Sequence, residues 1–184
     1  EVKAGKYTLI TYTGEFKGSL DNFSVMGLTG ISYSIVDENK SIQLVINAQR
    51  EPATEVVWTG AESNVWDYQT ENFQLGTNAT EFVAKDAGVV NDDAVKTTIQ
   101  VDDVMPVASV TFENDTKTIT VQGNGGFSNG DLVKNGKGRV NMNLTHSNYT
   151  GKTIINDGIL AVKELADAGV ESSIGAASVA AANF

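Results

Sequence analysis

The runs Thr97-Thr98-Ile99-Gln100-Val101, Thr116-Lys117-Thr118-Ile119-Thr120-Val121, Arg139-Val140-Asn141-Met142-Asn143-Leu144 and Ile159-Leu160-Ala161-Val162 decide the fold, because they recur at a nearly constant interval. Centred on Ile99, Ile119, Val140 and Leu160, they lie 20, 21 and 20 residues apart. A second series passes through Val110-Thr111-Phe112, Leu132-Val133 and Thr153-Ile154-Ile155. Alternation of apolar and polar residues writes a strand with one buried face. Two strand families that advance together by about 20 residues suit a β-solenoid, since one turn of the coil must return the chain beside its own start. No rung buries its inner face alone, so each must stack on the next. The rival is a β-sandwich whose hairpins recur at half that interval. Asn129-Gly130 and Asn135-Gly136, both hairpin-turn dipeptides, keep that rival open.

Outward from this region, Tyr7-Thr8-Leu9-Ile10-Thr11-Tyr12 and Ser41-Ile42-Gln43-Leu44-Val45-Ile46 alternate in the same way. Residues 1–50 are predicted to form a β-meander of four or five strands, with turns at Thr13-Gly14, Asp21-Asn22, Thr29-Gly30 and Glu38-Asn39. Residues 51–55 read as a linker, because Pro52 drives its predecessor out of helical geometry and cannot donate to a ladder. Residues 56–184 then hold the recurring strands, with a single short helix predicted over Val162–Asp167. The expected class is all-β: right-handed parallel β-helix rungs in the second half, preceded by a small β-meander or sandwich-like region.

Composition narrows the functions. With 41% hydrophobic and 20% charged residues, the chain has the makings of an ordinary folded core. Eighteen glycines against two prolines suit frequent tight turns between short strands. A formal charge of −10, with 13 scattered basic residues, argues against nucleic-acid binding. The chain has no cysteine, hence no disulfide, thiol nucleophile or Cys-ligated zinc. No stretch approaches the roughly 18–20 apolar residues of a membrane-spanning helix, so a membrane-spanning chain is not expected.

Chemistry-bearing residues are sparse. His146, the one histidine, stands in Leu144-Thr145-His146-Ser147-Asn148 without a nucleophile or orienting acid placed around it, and reads as an exposed turn residue. Asp92-Asp93 and Asp102-Asp103 are paired acids, but neighbours in a strand point to opposite faces and cannot converge. A loop calcium site from Asp86, Asp92 and Asp93 is the alternative to solvated turn acids. Gly123-Asn124-Gly125-Gly126 lacks the Gly-Lys-Ser/Thr of a phosphate loop and reads as a turn. Trp58, Trp66 and Tyr68 are the candidate glycan contacts, as an aromatic platform for sugar rings; packing into the core is the competing reading. No catalytic residue, metal ligand or cofactor is assigned, and the chain is expected to be non-enzymatic.

The run Leu132-Val133-Lys134-Asn135-Gly136-Lys137-Gly138, the strand after it, Asn148-Tyr149-Thr150-Gly151, and Thr153-Ile154-Ile155-Asn156-Asp157-Gly158-Ile159-Leu160-Ala161-Val162 together resemble the autotransporter-associated β-strand repeat. Lys152 stands where a second glycine is usual, and Arg139 and His146 replace small or polar residues. Val56-Val57-Trp58-Thr59-Gly60, with Asn64-Val65-Trp66-Asp67 and Glu71-Asn72-Phe73, looks like the unit that precedes such a repeat. Residues 5–46 resemble a segment that closes a preceding block. The resemblance implies a large exported modular protein of a Gram-negative bacterium, Bacteroidetes included, with passenger, adhesin or spacer roles, located outside the cell or on the outer-membrane surface. It implies neighbouring repeats of the same parent chain as partners, with host or bacterial glycans as candidate ligands. The chain itself is then expected to be a piece of a longer one. Its non-catalytic role would be structural or adhesive; the alternative is a carbohydrate-binding or accessory module of a secreted glycan-degrading enzyme.

Overall fold

The structure, a computed structural model, describes residues 3–26, 31–48 and 50–179. The chain divides into two compact units, Glu1–Glu51 and Pro52–Phe184. In the first, β1 (Gly5–Thr11), β2 (Tyr33–Glu38) and β3 (Ser41–Ile46) form an antiparallel sheet in the order β1-β3-β2. Among the described residues this sheet has three strands, not the expected four or five. Asp21-Asn22 falls in a single 3-10 turn, Leu20–Asn22, whose Asp21 amide donates to the Ser19 hydroxyl at 3.2 Å. The expected turn at Thr29-Gly30 lies outside the described residues.

The β2–β3 turn shows why the strands pair as they do. Asn39 and Lys40 take φ of 52° and 61°, the doubly left-handed turn whose twist matches that of the flanking strands. Asparagine tolerates this conformation; a lysine there is strained by roughly 1–2 kcal/mol. Lys40 is held in place from β1: its carbonyl accepts the Tyr12 amide at 3.1 Å, and its ammonium sits 5.9 Å from the centre of the Tyr12 ring.

In the second unit, β4 (Val56–Trp58), β5 (Phe73–Leu75) and β6 (Asn78–Thr80) precede a repeating series. The first turn carries β7 (Ala87–Val90), β8 (Thr98–Gln100) and β9 (Val104–Pro106); the second carries β10 (Ser109–Phe112), β11 (Ile119–Gln122) and β12 (Gly126–Ser128). Then follow β13 (Asp131–Lys134) with β14 (Arg139–Met142), and β15 (Thr153–Ile155) with β16 (Ile159–Val162). Each strand pairs in parallel with its counterpart one turn later. Gly88, Val110, Leu132 and Thr153 stand in one register, Ile99, Val121, Met142 and Val162 in another, and Val104 with Gly126 in a third. This is a β-solenoid of about three turns.

Parallel pairing throughout residues 97–162 excludes the sandwich, which needs antiparallel hairpins there. Asn129 and Gly130 do form a left-handed turn, with φ of 61° and 55°, but it leads β12 round a corner into β13. One interval differs from the sequence reading: Ile99 pairs with Val121, not with Ile119, which pairs with Val140. A two-residue shift keeps every side chain on its face, so alternation alone does not resolve it. The predicted helix at Val162–Asp167 is absent; Val162 closes β16, and residues 163–167 adopt no regular element. Six residues are too few to offset helix nucleation when Val162 has a ladder partner in Met142.

The inward positions fill the coil. Val110, Phe112, Ile119, Val121, Leu132, Val140, Met142 and Leu144 are all buried. Before the first full turn, β5 and β6 extend the sheet of β4 as an antiparallel hairpin, so the sheet ends on this side in a three-residue edge strand. Rungs that touch allow no side chain at Gly126, which opens β12 at the end of a corner: a β-carbon there would stand 2.3 Å from the His146 carbonyl oxygen. Gly126 has no positive φ, so its constraint is purely steric. Gly126→Ala is therefore expected to lower stability by about 1–3 kcal/mol through forced separation of two backbones. Urea denaturation followed by tryptophan fluorescence measures this; an unchanged midpoint would refute close packing at that corner.

Candidate functional site

Trp58 closes β4 and Trp66 follows Val65, which bridges in parallel to Gln100 and so brings the indole over the start of the coil. The two indoles stack with centroids 5.8 Å apart and planes 10° from parallel. Phe73, Phe82 and Phe127 meet Trp66 edge-on or tilted at 4.8, 5.2 and 5.3 Å. Pairs of this geometry add roughly 0.5–1.5 kcal/mol each beyond the area they bury. Gly88, a residue that weakens a strand, stands in β7 because a β-carbon there would lie 2.6 Å from the Trp66 ring.

These aromatics form a plug over one end of the coil, which corrects the glycan-platform candidacy of Trp58, Trp66 and Tyr68. Trp58 is 0%, Trp66 1% and Tyr68 7% exposed. A sugar ring needs an open aromatic face, and here the faces are covered by other rings. Burial also governs the polar atoms. Trp58 Nε1 donates to the Lys96 carbonyl at 2.9 Å, whereas Trp66 Nε1 and the Tyr68 hydroxyl are buried without a partner. Burial, with the charge of Asp103 adding, pushes the Tyr68 phenol well above its ordinary range.

Asn72 fastens the loop that carries Trp66. It is fully buried, and its side-chain oxygen accepts the Glu62 and Ser63 amides at 3.1 and 2.8 Å. Its amide nitrogen donates to Ser63 Oγ and to the Val65 carbonyl, both at 2.8 Å. A side chain satisfied on both ends is what a buried amide requires.

The acids serve the backbone. Asp86 is buried, and its two carboxylate oxygens accept the Ala53 and Val83 amides at 2.7 Å each. Asp92 lies in an exposed corner and reaches the next rung, accepting the Lys117 and Thr116 amides at 3.0 Å and that of Asp115 at 3.1 Å. The Lys117 amide above all, then those of Thr116 and Asp115, hold the Asp92 carboxyl below the usual carboxylate range. Asp93 bonds instead within its own loop, to Asn91. The calcium reading of Asp86, Asp92 and Asp93 is thereby corrected, since the three carboxylates point to separate partners. Among the described residues no group of three His, Asp or Glu side chains gathers as a metal site.

The pattern of Asp92 repeats along the coil. Asp102 accepts the Asn124 amide at 3.3 Å, Asp115 that of Lys137 at 2.9 Å, and Asp131 that of Lys152 at 2.7 Å. Each is a carboxylate of one rung holding an amide about one turn later, a satisfied charge-assisted bond. His146 is exposed, with Nδ1 3.4 Å from Glu171. Gly123–Gly126 is a stacked corner: β-carbons at Gly123 and Gly125 would stand 2.0 and 2.1 Å from the carbonyls of Val101 and Asp103. At the other end of the coil, a cavity of about 450 Å³ opens among Ile155, Leu160, Val162, Leu165 and Ile174.

Lys134 is the residue whose setting the sequence reading passed over. Its place in the alternation was legible, two residues after Leu132 and so on the same inward face. In the structure it occupies the register of Phe112, wholly buried, with its ammonium donating to the Gly136 carbonyl. Desolvation lowers its pKa, while Asp157, Asp115 and Asp92 act in the opposite direction. A base whose folded pKa lies below its unfolded value weakens the fold at neutral pH, and the penalty lifts as pH rises from the folded value towards about 10.4. Lys134→Met keeps the volume without the charge and is expected to leave stability unchanged or raised by about 1 kcal/mol at pH 7. It also abolishes the gain that the lysine supplies on the alkaline side, which urea midpoints between pH 7 and 10 measure.

Tyr149 titrates with the opposite sense. Burial pushes its phenol up to about 12, against the opposing effect of its hydrogen bond with Thr153 at 2.7 Å. Its folded pKa exceeds the unfolded value near 10, so its stabilising contribution is whole below about pH 10 and is lost as pH rises towards 12. Tyr149→Phe is expected to cost about 1 kcal/mol at pH 7 and to reduce the alkaline loss by on the order of 1–3 kcal/mol. Denaturation at pH 7 and 11 would detect both effects; equal alkaline losses in variant and parent would contradict the burial argument.

Compared with known proteins, the chain finds no matching family model, curated protein or solved structure.

Proposed function

We propose that the chain is a non-catalytic structural or adhesive segment of an exported bacterial surface protein, a passenger or stalk of the autotransporter-like kind. The observation that carries this reading is the in-register stacking of rungs through successive parallel strands. A coil of this type gains length by adding rungs, each about 4.8 Å beyond the last, without redesign of those already present. Extension and presentation are tasks that such growth serves. The anchors of the β-strand repeat support the same reading, because Gly136 and Gly158 stand in a column: a β-carbon at Gly158 would lie 2.4 Å from the Gly136 carbonyl.

Asp86, Asp92, Asp102, Asp115 and Asp131 are engaged in holding backbone amides, which supports a structural role for these acids. Neighbouring repeats of one parent chain are the proposed partners, and the outside of a Gram-negative cell the proposed location. The carbohydrate-module reading loses its aromatic platform with the burial of Trp58 and Trp66 and keeps only the two-part layout in its favour. Antibodies raised against the purified chain are expected to label intact, unpermeabilised cells of the source organism. Labelling that appears only after permeabilisation would overturn the surface assignment.

A further inference from the structure

Three Asn-Gly pairs lie on the coil, at Asn124-Gly125, Asn129-Gly130 and Asn135-Gly136, and all three asparagines are exposed. Glycine after asparagine is the sterically most open setting for attack of a backbone nitrogen on the preceding carboxamide. The fold then treats the three pairs differently. Gly125 donates its amide to the Val101 carbonyl at 2.9 Å, and Gly136 donates its amide to the Phe112 carbonyl at 3.2 Å. Asn135 is restrained further, its side-chain oxygen accepting from Asn156 at 2.7 Å. Among the described residues, neither the Gly130 amide nor the Asn129 carboxamide has such a tether.

We propose that Asn129-Gly130 is a site of spontaneous deamidation in the folded protein, and that the other two pairs are protected by the hydrogen bonds that tie their glycine amides to the preceding rung. The Gly130 nitrogen loses its proton to solvent base and attacks Asn129 Cγ. A bond forms between that nitrogen and Cγ, the bond from Cγ to Nδ2 breaks, and ammonia leaves with a proton from water. Water then opens the five-membered imide at either carbonyl, giving aspartate or isoaspartate. The location makes the product consequential. Gly130 is confined between two rungs, with its β-carbon position 2.3 Å from the Ala108 carbonyl and its own carbonyl 2.0 Å from the β-carbon position of Gly151. Isoaspartate inserts an extra methylene into this corner, and either product adds a negative charge near Asp131, whose carboxylate holds the Lys152 amide.

The test compares the folded chain with the same chain in urea, both held at pH 9 and 37 °C, with peptide mapping by mass spectrometry for the amide-to-acid exchange. Each hydrogen bond that must open slows attack by on the order of fivefold to tenfold. Folding is therefore expected to slow Asn124 and Asn135 by about tenfold or more while leaving Asn129 within about threefold of its unfolded rate. Asn129→Gly, which keeps the left-handed backbone, is expected to remove the main product of the folded chain. The proposal is overturned if folding protects Asn129 as strongly as the other two, or if the main product survives in Asn129→Gly.

Discussion

Everything in the second unit depends on parallel strands stacking in register at one strand spacing per turn. That spacing, about 4.8 Å, is the distance at which backbone hydrogen bonds form, and it leaves the corners no more room than the strands. Where two corners touch, a side chain collides with the carbonyl of the preceding rung, so glycine stands at Gly123, Gly125, Gly136 and Gly158. At the corners an acid of one rung also reaches the next and holds its amides, as Asp92 does for residues 115–117. The same constraint forces the inward residues to fill columns.

A column imposes its own chemistry on whatever residue enters it. Val90, Phe112 and Lys134 share one inward register, and the lysine there turns its terminal nitrogen to the Gly136 carbonyl. Gly88 yields its space in the neighbouring register to an indole. The plug of Trp58, Trp66, Phe73 and Phe82 answers a need common to all coils, since the first rung has no predecessor to cover its inner face. Residues with the look of a binding surface thus serve as an end seal. Where charge enters the interior it is closed off locally, as at Asp86, whose carboxylate is met by the Ala53 and Val83 amides.

The first unit rests on a different device. Its three strands are antiparallel, and the left-handed pair Asn39-Lys40 sets the β2–β3 register, with Glu38 opposite Ser41. Ile42 and Ile46 of the central β3 are buried, whereas β1 is exposed along its length. Among the described residues, corner glycines have no counterpart in this sheet, because its antiparallel strands do not stack rung upon rung.

The sequence by itself determined that this is an all-β chain, that its second half repeats about every 20 residues, and which residues face inward. Alternation and period are local properties, written in Ile99, Ile119, Val140 and Leu160 without reference to anything distant. Tertiary structure alone decided the rest. Register between Ile99 and Val121 depends on how much chain each corner takes up, which a period-two pattern does not encode. The fate of Trp58, Trp66 and Tyr68 depended on whether Phe73, Phe82 and Phe127 would cover them, and that is a matter of which strands become neighbours. Asp86, Asp92 and Asp93 lie close in sequence yet point apart, because each carboxylate follows the amide nearest to it in the coil.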